Sequence, residues 1–128
     1  MPKDTRFDEV RELLQLYFDG LYASDAGLLE RVFHPGAVYA TATSDPVVRL
    51  DMATYLPMVA QRPSPQSLGQ VRADEIVSIA FAGPNTAAAV VRCAIAPRRF
   101  TDFLSLIRTP DGWRIIAKVF HYDVEESA

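Results

Sequence analysis

Residues 100–122 read FTDFLSLIRTPDGWRIIAKVFHY, and this stretch decides the fold. Two runs rich in branched and aromatic residues, 100–107 and 113–122, flank the segment Pro110-Asp111-Gly112. Such runs favour β-strands, and a short segment with aspartate and glycine between them is typical of a hairpin turn. The stretch therefore predicts two long antiparallel strands joined by a tight connection.

The sequence before this stretch repeats the same pattern. Residues 71–81 and 87–95 are two further runs of strand-forming residues, and the turn signal Gly83-Pro84-Asn85 separates them. Consecutive strands with short connections pair antiparallel. We therefore predict an antiparallel meander of four long strands at the C-terminal end of the chain.

The N-terminal part shows helical rather than strand periodicity. Apolar residues recur at three- and four-residue steps from Phe7 to Leu21, which predicts an amphipathic helix over residues 5–23. A second helix is predicted from Ser24 or Asp25, either of which can cap it. It ends at His34-Pro35-Gly36, because the residue before a proline avoids the helical region. Helices followed by hairpins indicate the α+β class.

Shorter elements connect these two parts. Residues 37–41 and 47–50 predict short strands, Asp51 can cap a third helix, and residues 62–70, with two prolines and a glycine, predict a loop. The chain shows no linker, no shift in composition and no internal repeat. We therefore expect residues 1–128 to form a single domain.

Composition and charge argue against several classes of function. The formal net charge is −3, whereas a nucleic-acid-binding protein needs a basic face. Cys93 is the single cysteine, so an internal disulfide is excluded. We see no apolar stretch long enough for a signal peptide or a membrane span. We expect a soluble cytoplasmic protein that binds neither nucleic acid nor membrane.

Sequence motifs for cofactors and metals are missing as well. We find no phosphate-binding loop, no dinucleotide fingerprint and no nucleophile elbow. His34 and His121 are far apart, and neither belongs to a cluster with metal-ligand spacing. We therefore expect no cofactor and no metal. Cys93 lies in an apolar strand, and we interpret it as a small buried hydrophobic residue.

Blocks of sequence spread over nearly the whole chain carry a family resemblance. They are LYFDGL at 16–21, FHPGA at 33–37, FTDFLSL at 100–106 and GWRIIAKVF at 112–120. In this order they resemble the nuclear-transport-factor-2-like superfamily, also called the cystatin-like cone fold. The nearest branch is the small bacterial lumazine-binding and polyketide-cyclase-like one. The resemblance implies a curved antiparallel sheet wrapped around the N-terminal helices, a cone-shaped pocket between them, and a homodimer.

The resemblance does not fix an activity, because the superfamily includes isomerases, dehydratases, cyclases, epoxide hydrolases and transport adaptors. Its ketosteroid isomerases use a tyrosine donor, an aspartate base and a protonated aspartate donor. Here Tyr17 falls at the position of the donor tyrosine. Thr41 stands at the position of the base, and the second donor position falls on or near Ser105. Threonine cannot act as a base near neutral pH, so that mechanism is not expected.

Four residues are candidates for acid–base chemistry, and each has a structural interpretation beside the functional one. Tyr17 is either a core tyrosine or a donor at the pocket floor. His34 either interacts with a helix end or carries protons in the pocket, and His121 is either a rim residue or a pocket residue. Asp102 lies in an apolar strand and needs a partner if it is buried.

Two positively charged strand residues, Lys118 and Arg92, also have a structural and a ligand-binding interpretation. Lys118 either forms a structural ion pair with Asp102, or one of the two points into the cavity as a ligand anchor. The register of the hairpin decides whether they share a face, because a slip of one residue reverses it. Arg92 either anchors a ligand carboxylate or lies on the outer face of the sheet.

The leading hypothesis is a protein that binds a hydrophobic or aromatic small molecule. As an enzyme, it would be a cofactor-independent lyase, isomerase or cyclase that uses Tyr17, His34, Asp102 or His121. The alternative is a non-catalytic dimeric assembly module, with a cavity filled by side chains. The expected ligand-binding residues are Phe18, Tyr39, Tyr55, Arg92, Phe103, Lys118 and Phe120.

Overall fold

The computed structural model describes residues 4–125. Within this range the chain forms three helices, α1 (Arg6–Ala23), α2 (Ala26–Val32) and α3 (Met52–Gln61). Its six strands are β1 (Phe33–Thr41), β2 (Val48–Asp51), β3 (Asp74–Ala82), β4 (Thr86–Ile95), β5 (Arg98–Thr109) and β6 (Gly112–Val124). The prediction that residues 1–128 form one domain extends past the described residues at both ends and stays a prediction.

The strands form one sheet in the order β2-β1-β6-β5-β4-β3. The α+β class and the antiparallel meander from β3 to β6 are confirmed. The sheet is nevertheless mixed, because β1 pairs with β6 in parallel. No tight turn joins these two strands, since α3 and four other strands lie between them in sequence, so nothing local forces them to be antiparallel.

The short connection between α1 and α2 is well defined. Ser24 ends α1 in the left-handed conformation, with φ at 49°, and its backbone N–H donates to the carbonyls of Gly20 and Leu21. Asp25 caps α2 by accepting a hydrogen bond from the backbone N–H of Leu28 at 3.0 Å. Asp51 caps α3 in the same way. Of the two candidate caps of α2, Ser24 and Asp25, the structure uses Asp25, and the cap expected at Asp51 is confirmed.

The core lies between the three helices and one face of the sheet, which we call the inner face. Gly20 lets α1 and α2 approach closely, because a Cβ atom at this position would lie 2.6 Å from Leu29 Cδ2. The inner-face strand residues of this core include Ala87, Ala89, Val91, Leu104, Leu106, Trp113 and Ile115. None of the helices within residues 4–125 is long and apolar enough to cross a membrane.

A β-bulge at Ile116 reverses the alternation of side chains along β6. Ser105 pairs with Ala117 and Leu106 pairs with Ile115, so Ile116 is an extra residue without a partner. Before the bulge, odd-numbered residues such as Ile115 face the core. After it, the even-numbered Lys118 is buried on the same face. Without the bulge, Lys118 would point to the outer face.

Candidate functional site

A cavity of about 200 Å³ lies between the inner face of the sheet and α3. Strands β1, β2, β4, β5 and β6 form its walls, with Leu21 of α1 at one side. Its wall is rich in aromatic side chains, namely Tyr39, Tyr55, Phe100, Phe120 and Tyr122. Aromatic rings therefore make up much of the surface of the cavity.

Lys118 is a buried charged residue in the wall of this cavity. Its side chain is only 6% exposed. Its ammonium group lies 5.1–5.7 Å from four aromatic ring centres, those of Tyr17, Tyr39, Tyr55 and Phe120. Rings at this distance attract a cation through their negative faces. The arrangement holds a positive charge at the surface of a cavity rich in aromatic rings.

Asp102 lies beside Lys118 and is fully buried. Its Oδ2 accepts a 2.6 Å hydrogen bond from the hydroxyl of Tyr17. The same oxygen lies 4.0 Å from Lys118 Nζ, beyond hydrogen-bonding distance. Its Oδ1 is buried without a partner in the described part of the chain. The two charges thus lie close together, as the interpretation of a structural pair requires, and Lys118 also lines the cavity.

Burial and the neighbouring charges set the protonation of this cluster. Burial, followed by the negative charge of Asp102, raises the pKa of Tyr17 well above its usual value, so its hydroxyl keeps its proton. Burial opposes the charge on Lys118. The oxygen of Tyr55 and the carboxylate of Asp102 outweigh this effect and raise the pKa of Lys118. Lys118 is therefore an ammonium ion at neutral pH.

Cys93 also lines the cavity. Burial is the main reason that its pKa rises to about 12, with a smaller contribution from the charge of Asp102. Its thiol is therefore neutral near pH 7, and a neutral thiol is a poor nucleophile. The structure fits the interpretation of Cys93 as a small apolar residue.

Arg62 and Arg98 are cavity residues that sequence reasoning missed. Arg62 follows α3, at the start of the stretch whose composition predicts a loop. It nevertheless stands four residues after Met58 and seven after Tyr55, on the helix side that meets the cavity. Arg98 lies two residues before Phe100 on the same face of β5, and its guanidinium carbon lies 4.4 Å from the ring centre of Tyr122. These spacings are the signal that would have identified both residues.

The structure brings together several of the residues expected to bind the ligand. Tyr39, Tyr55, Lys118 and Phe120 all line the cavity. Phe18 does not line it, because it packs in the core with its ring centre 5.7 Å from that of Tyr17. Tyr17 itself is fully buried, and its hydroxyl points at Asp102 rather than at the cavity.

Both histidines lie outside the cavity. His34 is part of β1, where its Nδ1 accepts a hydrogen bond from the backbone N–H of Gly36 at 2.9 Å. It lines a separate groove of about 330 Å³ beside α3. The side chain of His121 is 62% exposed, and its Nε2 lies 2.9 Å from Asp123 Oδ1. The structure corrects the expectation that either histidine carries protons in this cavity.

Phe103 and Arg92 lie on the opposite, outer face of the sheet. This placement corrects the expected position of Phe103 in the cavity and agrees with the second of the two interpretations of Arg92. Phe103 alternates with the buried Asp102 and Leu104, and it is 62% exposed. Arg92 alternates with Val91 in the same way, and its Nη1 lies 3.8 Å from Glu75 Oε1. Ser105, on or near which the second donor position falls, also faces outward. The strand residue that contacts the hydroxyl of Tyr17 is Asp102.

The described residues offer no metal centre. Between residues 4 and 125, no three histidine, cysteine, aspartate or glutamate side chains come close enough to hold a metal ion together.

Comparison with known proteins places the chain in a family. The model of the family described as "Putative lumazine-binding" matches residues 5–121. The chain belongs to this family. No curated protein sequence matches it significantly.

Solved structures share the fold of this lumazine-binding family member. An NTF-2-like protein of unknown function from Silicibacter pomeroyi is 21% identical, with 96% of this chain and 100% of that chain covered and a TM-score of 0.84. A similar protein from Shewanella baltica is 20% identical, with 98% and 99% covered and a TM-score of 0.82. A ketosteroid isomerase-like protein from Erwinia carotovora atroseptica is 9% identical, with 96% and 100% covered and a TM-score of 0.74. The nuclear-transport-factor-2-like fold expected from the sequence is confirmed.

Proposed function

We propose that this protein binds a small aromatic molecule in the cavity beside α3, with Lys118 as its main polar contact at the cavity floor. The observation that carries the proposal is the buried ammonium group of Lys118, which faces an open, ring-lined cavity. A polar group of this kind would orient a ligand that the apolar wall holds by burial.

The size of the cavity limits the ligand. An engineered protein cavity of about 150 Å³ holds benzene, and this cavity measures about 200 Å³. A ligand of one or two small rings fits this space. The family description names lumazine, a compound of two fused rings with carbonyl oxygens, and an ammonium group suits such oxygens as a hydrogen-bond donor.

The polar cluster restricts what chemistry the site would perform as an enzyme. Lys118 would donate a hydrogen bond or a proton to ligand oxygen, and would stabilise negative charge that develops there. Asp102 would hold the ammonium in place, and Tyr17 would hold Asp102. We therefore propose Lys118 as the group that contacts the ligand and Asp102 and Tyr17 as positioning residues. A cofactor-independent isomerase, lyase or cyclase would use this arrangement.

We also propose that two copies of the chain pair through the outer face of the sheet. Phe103 is 62% exposed and Val119 is 52% exposed, and the two residues are direct partners across β5 and β6. Together these two residues form an apolar surface that is open to water in the isolated chain. This surface supports the dimer that the resemblance implies and agrees with either functional hypothesis.

The open cavity supports the ligand-binding hypothesis, because the alternative assembly module would have a cavity filled by side chains. The test is to screen aromatic compounds of one or two rings, lumazine among them, by ligand-observed NMR against the wild type and Leu50→Trp. Leu50 lines the cavity, so tryptophan would fill it and binding should be lost. Leu68→Trp is the matched control, since Leu68 is 61% exposed and does not line the cavity. Binding that survives Leu50→Trp would refute the proposal.

A further inference from the structure

The charged side chains that line the cavity are all positive. They are Arg62, Arg98 and Lys118, and no carboxylate is among the lining residues in the described part of the chain. This is unexpected for a chain whose formal net charge is −3. Charges of one sign in a cleft with low-dielectric walls focus the electric field and attract ligands of opposite charge.

The three cations differ in the neighbouring groups that stabilise their charge. Lys118 lies 4.0 Å from the carboxylate of Asp102. Arg98 stacks on the ring of Tyr122. Arg62 has no such partner, because its Nε and Nη2 atoms are buried and neither makes a hydrogen bond within residues 4–125. Arg62 as a whole is half-buried, but two buried N–H groups without an acceptor are unfavourable, so its hydrogen bonding is incomplete in the free protein.

The two unpaired nitrogens of Arg62 have a geometry that selects the missing group. Nε and Nη2 lie on the same edge of the planar guanidinium, and they present two parallel N–H groups. A carboxylate accepts such a pair with both oxygens, which is the strong bidentate form of this interaction. One negatively charged planar group at this edge would satisfy both nitrogens at once.

We propose that the natural ligand is an aromatic carboxylate whose carboxyl group binds the guanidinium of Arg62, with a rotation of that side chain that turns its buried Nε–Nη2 edge toward the cavity. Its ring lies between the ring-lined wall and Lys118, in the cavity of about 200 Å³. The inference rests on the proposed binding function and adds the charge and chemical class of the ligand. Arg62 thereby determines specificity, whereas Lys118 contacts the other end of the ligand.

The test compares two probes of nearly equal shape, benzoate and benzamide, which differ in charge. Dissociation constants are measured by NMR titration for the wild type, Arg62→Gln and Arg62→Lys. We expect the wild type to bind benzoate at least tenfold more tightly than benzamide. Arg62→Gln should bring this ratio close to one while benzamide still binds. Arg62→Lys, which keeps the charge but loses the planar edge, should give an intermediate ratio.

Control measurements separate this inference from simple electrostatic attraction. Arg11→Gln removes an exposed arginine of α1 outside the cavity and should leave the preference for benzoate unchanged. Inorganic phosphate should displace benzoate poorly, since the site is matched to a planar anion. Displacement by equal concentrations of phosphate would overturn the choice of a carboxylate.

The remaining outcomes distinguish this inference from the proposed function. If benzamide binds the wild type as tightly as benzoate, or if Arg62→Gln keeps the preference, the inference is wrong and the ligand-binding cavity stands. If neither probe binds the wild type, the aromatic carboxylate is ruled out. If the two-ring compounds do not bind either, the binding function fails as well.

Discussion

At the scale of single residues, the buried polar groups of this protein depend on one another. Tyr17 donates its hydroxyl hydrogen to Asp102, and Asp102 lies beside the ammonium of Lys118. A buried carboxylate is tolerated only when donors and a counter-charge surround it. Because one oxygen of Asp102 is already without a partner, the loss of Tyr17 as a donor should be costly.

The first prediction is that Tyr17→Phe destabilises the protein. The substitution removes the 2.6 Å hydrogen bond to Asp102 and keeps the aromatic ring in place. A buried acceptor left without its donor costs about 1–3 kcal/mol. We expect this decrease in the free energy of unfolding from urea denaturation followed by circular dichroism.

Tyr22→Phe is the matched control for this prediction. The hydroxyl of Tyr22 donates to the backbone carbonyl of Gln70 at 2.8 Å in a half-buried place. Water can replace that donor, so the loss should stay near the ordinary value for one hydrogen bond, about 1 kcal/mol. Equal losses for the two variants would mean that the Asp102 carboxylate does not depend on Tyr17.

At the scale of helices and strands, close packing sets the sequence requirements. Gly20 lies inside α1, where glycine is unfavourable for a helix. The structure explains its presence, since Leu29 of α2 occupies the space that a side chain would need. Leu29 is fully buried and cannot move aside without disturbing its neighbours.

The second prediction is therefore that Gly20→Ala lowers the melting temperature although alanine favours helices. A new Cβ atom 2.6 Å from Leu29 Cδ2 would overpack the contact between α1 and α2. Overpacking costs about 1–3 kcal/mol, and the helix propensity returns about 1 kcal/mol of this. Thermal denaturation followed by circular dichroism measures the net loss.

Gly27→Ala is the control with the opposite expected sign. A Cβ atom at Gly27 would meet only Asp25 Oδ1, at an ordinary 3.5 Å. The substitution in α2 should therefore leave the melting temperature unchanged or raise it. If Gly20→Ala also raised it, the close approach of the two helices would be weaker than the structure indicates.

At the scale of the whole molecule, burial of acidic groups links stability to pH. Burial raises the pKa of Cys93 from 9.0 to about 12, and it raises the pKa of Tyr17 well above 10.0. Both groups stay protonated in the folded protein where they would ionise in the unfolded chain. The unfolded chain then binds fewer protons, and the free energy of unfolding falls as the pH rises.

The third prediction is that stability is flat up to about pH 9 and falls above it. The loss begins near the pKa of 9.0 that the thiol has in an unfolded chain and continues toward the folded value of about 12. Each fully shifted group contributes a slope of at most about 1.4 kcal/mol per pH unit. Urea denaturation at pH 8, 9, 9.5 and 10 measures this slope.

Cys93→Ala tests the assignment of this pH dependence. The variant removes one of the groups whose pKa burial raises, so it should have a shallower slope between pH 9 and 10 than the wild type. An identical slope in the variant would show that the Cys93 thiol ionises as readily in the folded protein as in the unfolded chain.

The fourth prediction concerns the outer face of the sheet. Phe103→Glu places a charge at the centre of its apolar surface, where residue 103 is 62% exposed in a single chain. We expect sedimentation velocity to show a dimer for the wild type and a monomer for this variant. Leu68→Glu, on an exposed loop, is the control and should remain dimeric. A monomeric wild type would contradict the proposed dimer.

The amino-acid sequence by itself determined the elements and their order. The helical stripe from Phe7 to Leu21, the caps at Asp25 and Asp51, and the turn at Pro110-Asp111-Gly112 are local features. Residues a few positions apart decide them. The resemblance to the superfamily was also visible in the sequence, because it depends on short blocks of residues that follow one another in order.

Tertiary structure alone decided which side chains meet at the cavity. The bulge at Ile116 turns Lys118 inward, and the way that α3 packs on the sheet brings Arg62 to the same space. The alternation along β5 leaves Phe103 on the outer face, although its aromatic character suited a pocket. Strand register and bulges depend on pairing between residues distant in sequence. A shift of one residue moves every side chain to the opposite face, and for this reason periodicity alone could not place them.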